Sequence, residues 1–301
     1  MSDQQPSIQL QPGVEMPLLG LGVYLVPPEQ TAAVVAEAIA CGYRLIDTAA
    51  AYNNERQVGE AVRRSGVPRE ELFITTKLWI ADYGYESALR AFETSLRKLG
   101  LDYVDLYLLH WPVPMRFDDT VAAYRAALRL REEGRVRAVG VSNFEPRHLE
   151  ELIARTGAVP AVNQVELHPF FAQRPLRQVH RRLGIVTQAW SPLGGVLRRK
   201  GPAAGQPGGG DVLGHPVITG LARKYGKTPA QIVLRWHLEH GISAIPKSVR
   251  AERIRENIAV FDFRLAPEDV AAIDALDRGI RGGRDPERAD AADFSIRVEE
   301  P

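Results

Sequence analysis

Arg44-Leu45-Ile46-Asp47-Thr48-Ala49-Ala50-Ala51-Tyr52-Asn53-Asn54-Glu55-Arg56-Gln57-Val58-Gly59-Glu60-Ala61-Val62-Arg63-Arg64 holds one whole repeat of the architecture. The short apolar run 44–48 reads as a strand and 55–64 as a helix. Two chemically useful side chains, Asp47 and Tyr52, stand where the strand gives out. Working outward, the same unit recurs along the chain. Strands are expected over 18–24, 44–48, 72–78, 103–110, 136–141, 161–165, 185–190 and 243–246. Helices are expected over 31–40, 55–64, 121–131, 147–155, 175–183, 216–225, 229–239, 251–257 and 268–276, and around the stripe Leu89, Phe92, Leu96 and Leu99. Thr228-Pro229-Ala230-Gln231 is a helix start, with a capping Thr, Pro at the first position and Gln at the third. Eight strands each followed by a helix imply crossovers and hence a parallel sheet of the α/β class. At 301 residues a closed (β/α)8 TIM barrel fits better than an open sheet. An open dinucleotide-binding sheet usually carries a glycine-rich fingerprint after its first strand, and Gly20-Leu21-Gly22-Val23 lacks the third glycine. Residues 8–16 read as an N-terminal β-hairpin around Pro12-Gly13 that closes the barrel bottom. No composition shift divides the chain, so 1–301 is read as a single domain with 278–301 as its C-terminal loop or tail.

Bulk composition narrows the function. Hydrophobic residues make up 45% and charged residues 25%, enough for a large core. Lys and Arg number 38 against 37 Asp and Glu, a formal charge of +1, which argues against a nucleic-acid or membrane surface. The single cysteine, Cys41, excludes an intrachain disulfide and any multi-cysteine metal site, and reads as a small core residue. There is no HExxH pattern, and no metal is expected. The polar start and the lack of a long apolar run make the cytoplasm the expected location. A monomer acting on a small molecule is the expectation for partners.

Four residues, Asp47, Tyr52, Lys77 and His110, each lie just past an apolar strand. In a parallel sheet they converge at its carboxyl edge. A phenol beside an ammonium, a carboxylate and an imidazole makes a proton donor. Tyrosine titrates near pH ~10, and a lysine in contact is expected to lower that value. Asp47 would keep Lys77 charged, and His110 would orient a carbonyl or relay a proton. Packing or plain hydrogen bonding is the competing reading for any one of them. Lys247, Ser248 and Arg253 follow the last strand, where barrels often bind phosphate. The competing reading there is solvated surface charge. Tyr24, Trp79 and Trp111 are strand-end aromatics, expected at the mouth rather than in the core. His168 is read as structural. The run 201–210 is either a mobile flap or an inert insertion, and the tail from Arg278 either crosses the mouth or hangs free.

Gly42-Tyr43-Arg44-Leu45-Ile46-Asp47-Thr48-Ala49 with Glu55 and Val58-Gly59 resembles the signature of the aldo-keto reductases. So do Ile74-Thr75-Thr76-Lys77-Leu78-Trp79, Leu108-Leu109-His110-Trp111-Pro112, Gly140-Val141-Ser142-Asn143-Phe144 and Ile245-Pro246-Lys247-Ser248. Within that family, Pro160-Ala161-Val162-Asn163-Gln164-Val165-Glu166-Leu167-His168-Pro169 and Lys227-Thr228-Pro229-Ala230-Gln231 are most similar to bacterial 2,5-diketo-D-gluconate reductases. The resemblance implies NADPH/NADP+ as cofactor and a Tyr52 general acid tuned by Lys77 and Asp47. It implies that His110 orients the carbonyl, that Ser142, Asn143 and Gln164 hold the nicotinamide carboxamide, and that Trp190 stacks on the ring. It further implies cofactor contacts from Gly22, Val23 and Val249, from Ser191, Leu193 and Gly194 along the pyrophosphate, from Lys247, Ser248 and Arg253 at the 2′-phosphate, and from Glu256 and Asn257 near the adenine. Tyr24, Trp79 and Trp111 would line the substrate pocket. Expected substrates are small polar carbonyls: keto-sugar acids such as 2,5-diketo-D-gluconate, methylglyoxal or simple aldehydes. Two other readings stand beside this one, a non-catalytic NADP(H)-binding regulatory or structural relative, and a reductase of enoyl or steroid double bonds, which His110 argues against.

Overall fold

Strand alternation explains how the barrel divides into a dry floor and a polar rim. The computed structural model describes residues 5–199, 211–290 and 296–298. Strands β1 (Ser7–Gln11) and β2 (Val14–Pro17) pair antiparallel as a hairpin. Eight parallel strands follow: β3 (Gly20–Gly22), β4 (Leu45–Asp47), β5 (Phe73–Leu78), β6 (Val104–Leu109), β7 (Val136–Ser142), β8 (Val162–Glu166), β9 (Val186–Trp190) and β10 (Ser243–Ala244). The ring closes where Ala244 N donates to Leu18 O at 2.9 Å and Gly22 N to Pro246 O at 3.1 Å. The expected (β/α)8 barrel is therefore the fold.

Side chains two apart on a strand share a face. Inward positions start apolar: Leu45, Phe73, Leu106, Ala138, Val162 and Val186 pack with Val14 and Met16 of the hairpin, which seals the bottom as expected. The same inward rows end polar, at Asp47, Lys77, Gln164 and Gln188, which hydrogen-bond to one another within the barrel. Outward positions such as Ile46, Ile74, Tyr107 and Val139 pack under the helices, with Phe92, Leu99 and Trp236.

Element boundaries follow local chemistry. Helices Glu55–Arg64, Pro216–Tyr225 and Pro229–Glu239 lie where expected. Thr228 and Gln231 form the capping box read from sequence. The helix expected over 121–131 begins earlier, at Phe117, directly from a 3-10 turn, with Asp118 and Asp119 in its first turn facing the helix dipole. The helix expected from 31 begins at Pro28, and proline is pre-set for a first turn. A short helix, Gly195–Arg199, was not expected. Cys41 is half-buried rather than interior, its thiol pointing at Glu37. The run 201–210 lies outside the described residues. No helix among the described residues is long and apolar enough to cross a membrane.

Candidate active site

The loops at the carboxyl ends of the strands carry the strained backbone. Among the described residues, six non-glycine residues have positive φ: Leu25, Asn53, Val113, Asn143, Gln173 and Ser191. Every one follows the carboxyl end of a barrel strand. Strain of this kind collects where a site must be shaped, and in this fold that is the catalytic face.

A cavity of about 660 Å³ opens there. Asp47 ends β4, Tyr52 lies in the 3-10 turn Ala50–Tyr52, Lys77 is on β5 and His110 follows β6. Lys77 Nζ donates to Asp47 Oδ1 at 2.5 Å, Thr48 O at 2.9 Å and Tyr52 Oη at 3.3 Å. Both ions of the pair are buried. Gln164 Nε2 donates to Asp47 Oδ2 at 2.7 Å, so both carboxylate oxygens are satisfied. His110 meets Tyr52 edge-on, with ring centroids 5.7 Å apart, and Trp79 at 5.3 Å. Tyr24 covers Tyr52 at 5.0 Å. The four residues thus converge as expected. Asp47, Tyr52 and His110 line the cavity, while Lys77 stands behind them.

One sequence expectation is overturned. Lys77 was expected to lower the Tyr52 pKa, but the phenol is pushed well up, first by burial, then by the Asp47 carboxylate and Tyr24. Loss of water around the phenol and the nearby Asp47 carboxylate outweigh the pull of the ammonium toward phenolate. Burial likewise pushes Asp47 up and Lys77 down, each opposed by the other. His110 is held well below the ordinary imidazole value by burial, then by Lys77. Around neutrality the site presents a protonated phenol and a neutral imidazole. His110 Nδ1 is buried without a hydrogen-bond partner in the protein.

The neighbouring wall is polar and planar. Asn143 Nδ2 donates to His110 O at 3.0 Å and Ser142 Oγ at 3.1 Å, and Trp190 Nε1 donates to Asn143 Oδ1 at 2.9 Å. Ser142 Oγ donates to Gln164 O at 2.8 Å. Gln164 spends its amide hydrogens on Asp47 and on Gln188 Oε1, both at 2.7 Å, so its own Oε1 is what it offers a ligand. An acceptor there suits a carboxamide NH2, and Trp190 presents an anchored ring beside it. These residues fit the amide and ring of a nicotinamide.

The remaining expected residues divide. Gly22, Ser191, Leu193 and Lys247 line the cavity, as do Tyr24, Trp79 and Trp111. Trp79 and Trp111 are also nearly buried, at 2% and 8% exposure, so the mouth and core readings both hold for them. Val23, Gly194, Ser248, Val249, Arg253, Glu256 and Asn257 do not line it. Val23 is wholly buried, and Asn257 is buried on helix Ala251–Ile258. Ser248 Oγ is engaged locally, accepting the Arg250 N–H at 3.1 Å. Val249, Arg253 and Glu256 stand exposed on the loop and helix leading away from Lys247. That helix is pinned by Tyr43 Oη on Ile254 O at 3.1 Å and by Gln231 Nε2 on Glu256 O at 3.0 Å. Arg250, at its N-cap and exposed, is a further cation that sequence reasoning missed. Reasoning from sequence also missed Gly283, Arg284 and Ile296, tail residues that line the cavity. No local pattern marks them. The described part of the tail crosses the mouth. His168 is buried and hydrogen-bonded to Glu166 at 3.0 Å.

Known proteins place this site in a family. The sequence profile of the Aldo/keto reductase family matches residues 19–278. The chain is 53% identical to morphine 6-dehydrogenase of Pseudomonas putida over 98% of this chain and 99% of that one. It is 50% identical to the methylglyoxal reductase DkgA of Yersinia pestis over 94% and 97%. The crystal structure of a Bombyx mori aldo-keto reductase in complex with NADP superposes with a TM-score of 0.86, at 37% identity over 97% of each chain. The chain belongs to the aldo/keto reductase family.

Proposed function

We propose that this protein uses NADPH to reduce small polar aldehydes and ketones to alcohols. One observation carries the reading: Lys77 Nζ lies 3.3 Å from the Tyr52 hydroxyl and 2.5 Å from Asp47, with His110 closing the same cavity. Solved relatives bound to NADPH and to NADP support the choice of cofactor. Reduced NADP, when bound, supplies a hydride to the carbonyl carbon.

The chain's own residues do the rest. Ser142, Asn143 and Gln164 hold the carboxamide and Trp190 stacks on the ring. Ser191, Leu193 and Gly194 follow the pyrophosphate, and Gly22 lines the cofactor side of the cavity. Lys247, Ser248 and Arg253 take the 2′-phosphate, and Glu256 and Asn257 flank the adenine. Neutral His110 donates a hydrogen bond to the carbonyl oxygen without competing for the acid's proton. Tyr52 then protonates the developing alkoxide, which is far more basic than any phenolate. The Lys77 ammonium, 3.3 Å from the hydroxyl, favours the phenolate left on Tyr52 more than the site would without it, and Asp47 keeps that ammonium in place. A cavity lined by polar side chains as well as by Trp79 and Trp111 suits small polar carbonyls, including keto-sugar acids such as 2,5-diketo-D-gluconate. Relatives are named for morphine and for methylglyoxal, molecules of very different size, so a substrate panel decides. Methylglyoxal, simple aldehydes and keto acids are expected to oxidise NADPH faster than steroid ketones do. A preference for steroid ketones, or no turnover of any carbonyl, would overturn the reading.

A further inference from the structure

Glu166 ends β8 with its side chain fully buried, and it faces no lysine or arginine among the described residues. Burying a carboxylate without a cation is costly unless its oxygens are hydrogen-bonded. The donors come from the tail. Gly282 N donates to Oε1 at 2.6 Å and Gly283 N to Oε2 at 2.7 Å, and His168 Nε2 lies 3.0 Å from Oε1. Each carboxylate oxygen thus accepts a backbone N–H from the tail at the rim, the Gly282 bond buried and the Gly283 bond part-buried.

The glycines are a second, independent observation. A Cβ on Gly283 would meet Trp190 Cη2 at 2.6 Å and Glu166 Oε2 at 2.8 Å. A Cβ on Gly282 would meet Val196 Cγ1 at 2.7 Å. Only bare backbone comes this close to both the carboxylate and the indole. The tail is also held elsewhere: Arg281 pairs with Glu145 in a part-buried bridge, Ile280 N donates to Phe170 O at 3.2 Å, Ala289 packs in the core, and Glu287 with Arg147 and Asn53 Nδ2 on Arg297 O tie it nearer the surface. The exposed ties among these contribute little. Between them, Gly283, Arg284 and Ile296 line the catalytic cavity.

We infer that Glu166 is a positioning residue for substrate selection: through its two tail N–H bonds it clamps 282–284 as the roof of the carbonyl pocket, against the edge of Trp190. It touches none of the reacting atoms. This rests on the carbonyl-reductase reading above. Glu166→Gln keeps the volume but replaces one acceptor with an NH2 that faces a backbone N–H. The full-length variant is compared with wild type in two ways. Trypsin cleavage after Arg284 and Arg288 reads the roof without reference to activity, and is expected about tenfold faster in the variant, the size of effect one lost charge-assisted hydrogen bond gives. Kinetics read the pocket with two probes. KM for 2-naphthaldehyde, which reaches the roof, is expected to rise about tenfold with kcat held, while methylglyoxal kinetics and NADPH affinity stay within about twofold. Gly282→Ala, whose Cβ would meet Val196 Cγ1 at 2.7 Å and which leaves the carboxylate and Trp190 intact, is expected to act in the same direction and serves where Glu166→Gln does not fold. Wild-type cleavage and kinetics in both variants would overturn the inference. So would a parallel loss of NADPH affinity and of turnover with both aldehydes, since that marks general loosening. Should wild type reduce neither aldehyde, the functional reading fails, and the cleavage rates alone then decide the clamp.

Discussion

The two sides of the cavity are built in opposite ways. On one side, chemistry is carried by inward side chains buried on β4, β5 and β8: Asp47, Lys77 and Gln164 satisfy one another across the barrel with no exposed member. At the far side, the loop after β10 presents exposed cations, Lys247, Arg250 and Arg253, and the tail presents backbone. The first side cannot be altered without stranding a charge in the interior. The second can change residue by residue while the barrel stands. Catalysis is thereby coupled to folding, and recognition is left free to vary.

The sharpest break of that contrast is Lys77→Met. It leaves the Asp47 carboxylate buried with only Gln164, at a cost of about 3–5 kcal/mol, and turnover should fall at least ~10²-fold because the phenolate loses its counter-charge. Denaturant unfolding and steady-state rates check both, and an unchanged unfolding midpoint would show that the edge is less tightly built than its geometry indicates. Tyr52→Phe separates chemistry from folding at the same edge. Turnover should drop at least ~10²-fold with NADPH affinity nearly unchanged, and near-wild-type turnover would remove Tyr52 as the acid.

Arg253→Ala probes the exposed side. A charge-assisted contact to phosphate contributes roughly 1.5–3 kcal/mol, so NADPH should bind about ten- to hundredfold more weakly, with NADH and the unfolding midpoint unaffected. Titrating both cofactors by tryptophan quenching tests this, and equal losses for both would leave Arg253 an ordinary surface charge.

The smallest expected effect is that of pH. In the proposed mechanism Tyr52 acts protonated and its pKa is raised, so reduction should be lost only as pH climbs past that raised value. His110 acts neutral in that mechanism and its pKa is lowered, so activity should be lost only as pH falls past that lowered value. Between about pH 6 and 9 the reductive kcat should change by less than about twofold. An inflection near the ordinary imidazole value would show that His110 is wetter than its surroundings imply.

Much of the catalytic edge was legible because its signals are local. Asp47, Lys77 and His110 each end an apolar run, and two-residue alternation in a parallel strand carries them to one rim. The tail was not legible. Gly282-Gly283 reads as a loop, and its partner Glu166 is 116 residues away. The stretch after β10 falls between: Lys247 and Arg253 were visible as charges after a strand, but Arg250 was passed over, because whether it faces solvent beside the cavity depends on how the next helix docks.

By itself the sequence determined the barrel, the hairpin beneath it and the identity of the side chains at its carboxyl edge, because strand and helix periodicities act within a dozen residues and parallel strands admit few closures. Only the tertiary structure decided that the Tyr52 pKa rises rather than falls, that the tail roofs the cavity, and that Glu166 holds it there. The reason is common to all three. Solvation of a buried group, and contact between segments far apart in the chain, are set by what surrounds a residue in space, which its neighbours in sequence do not record.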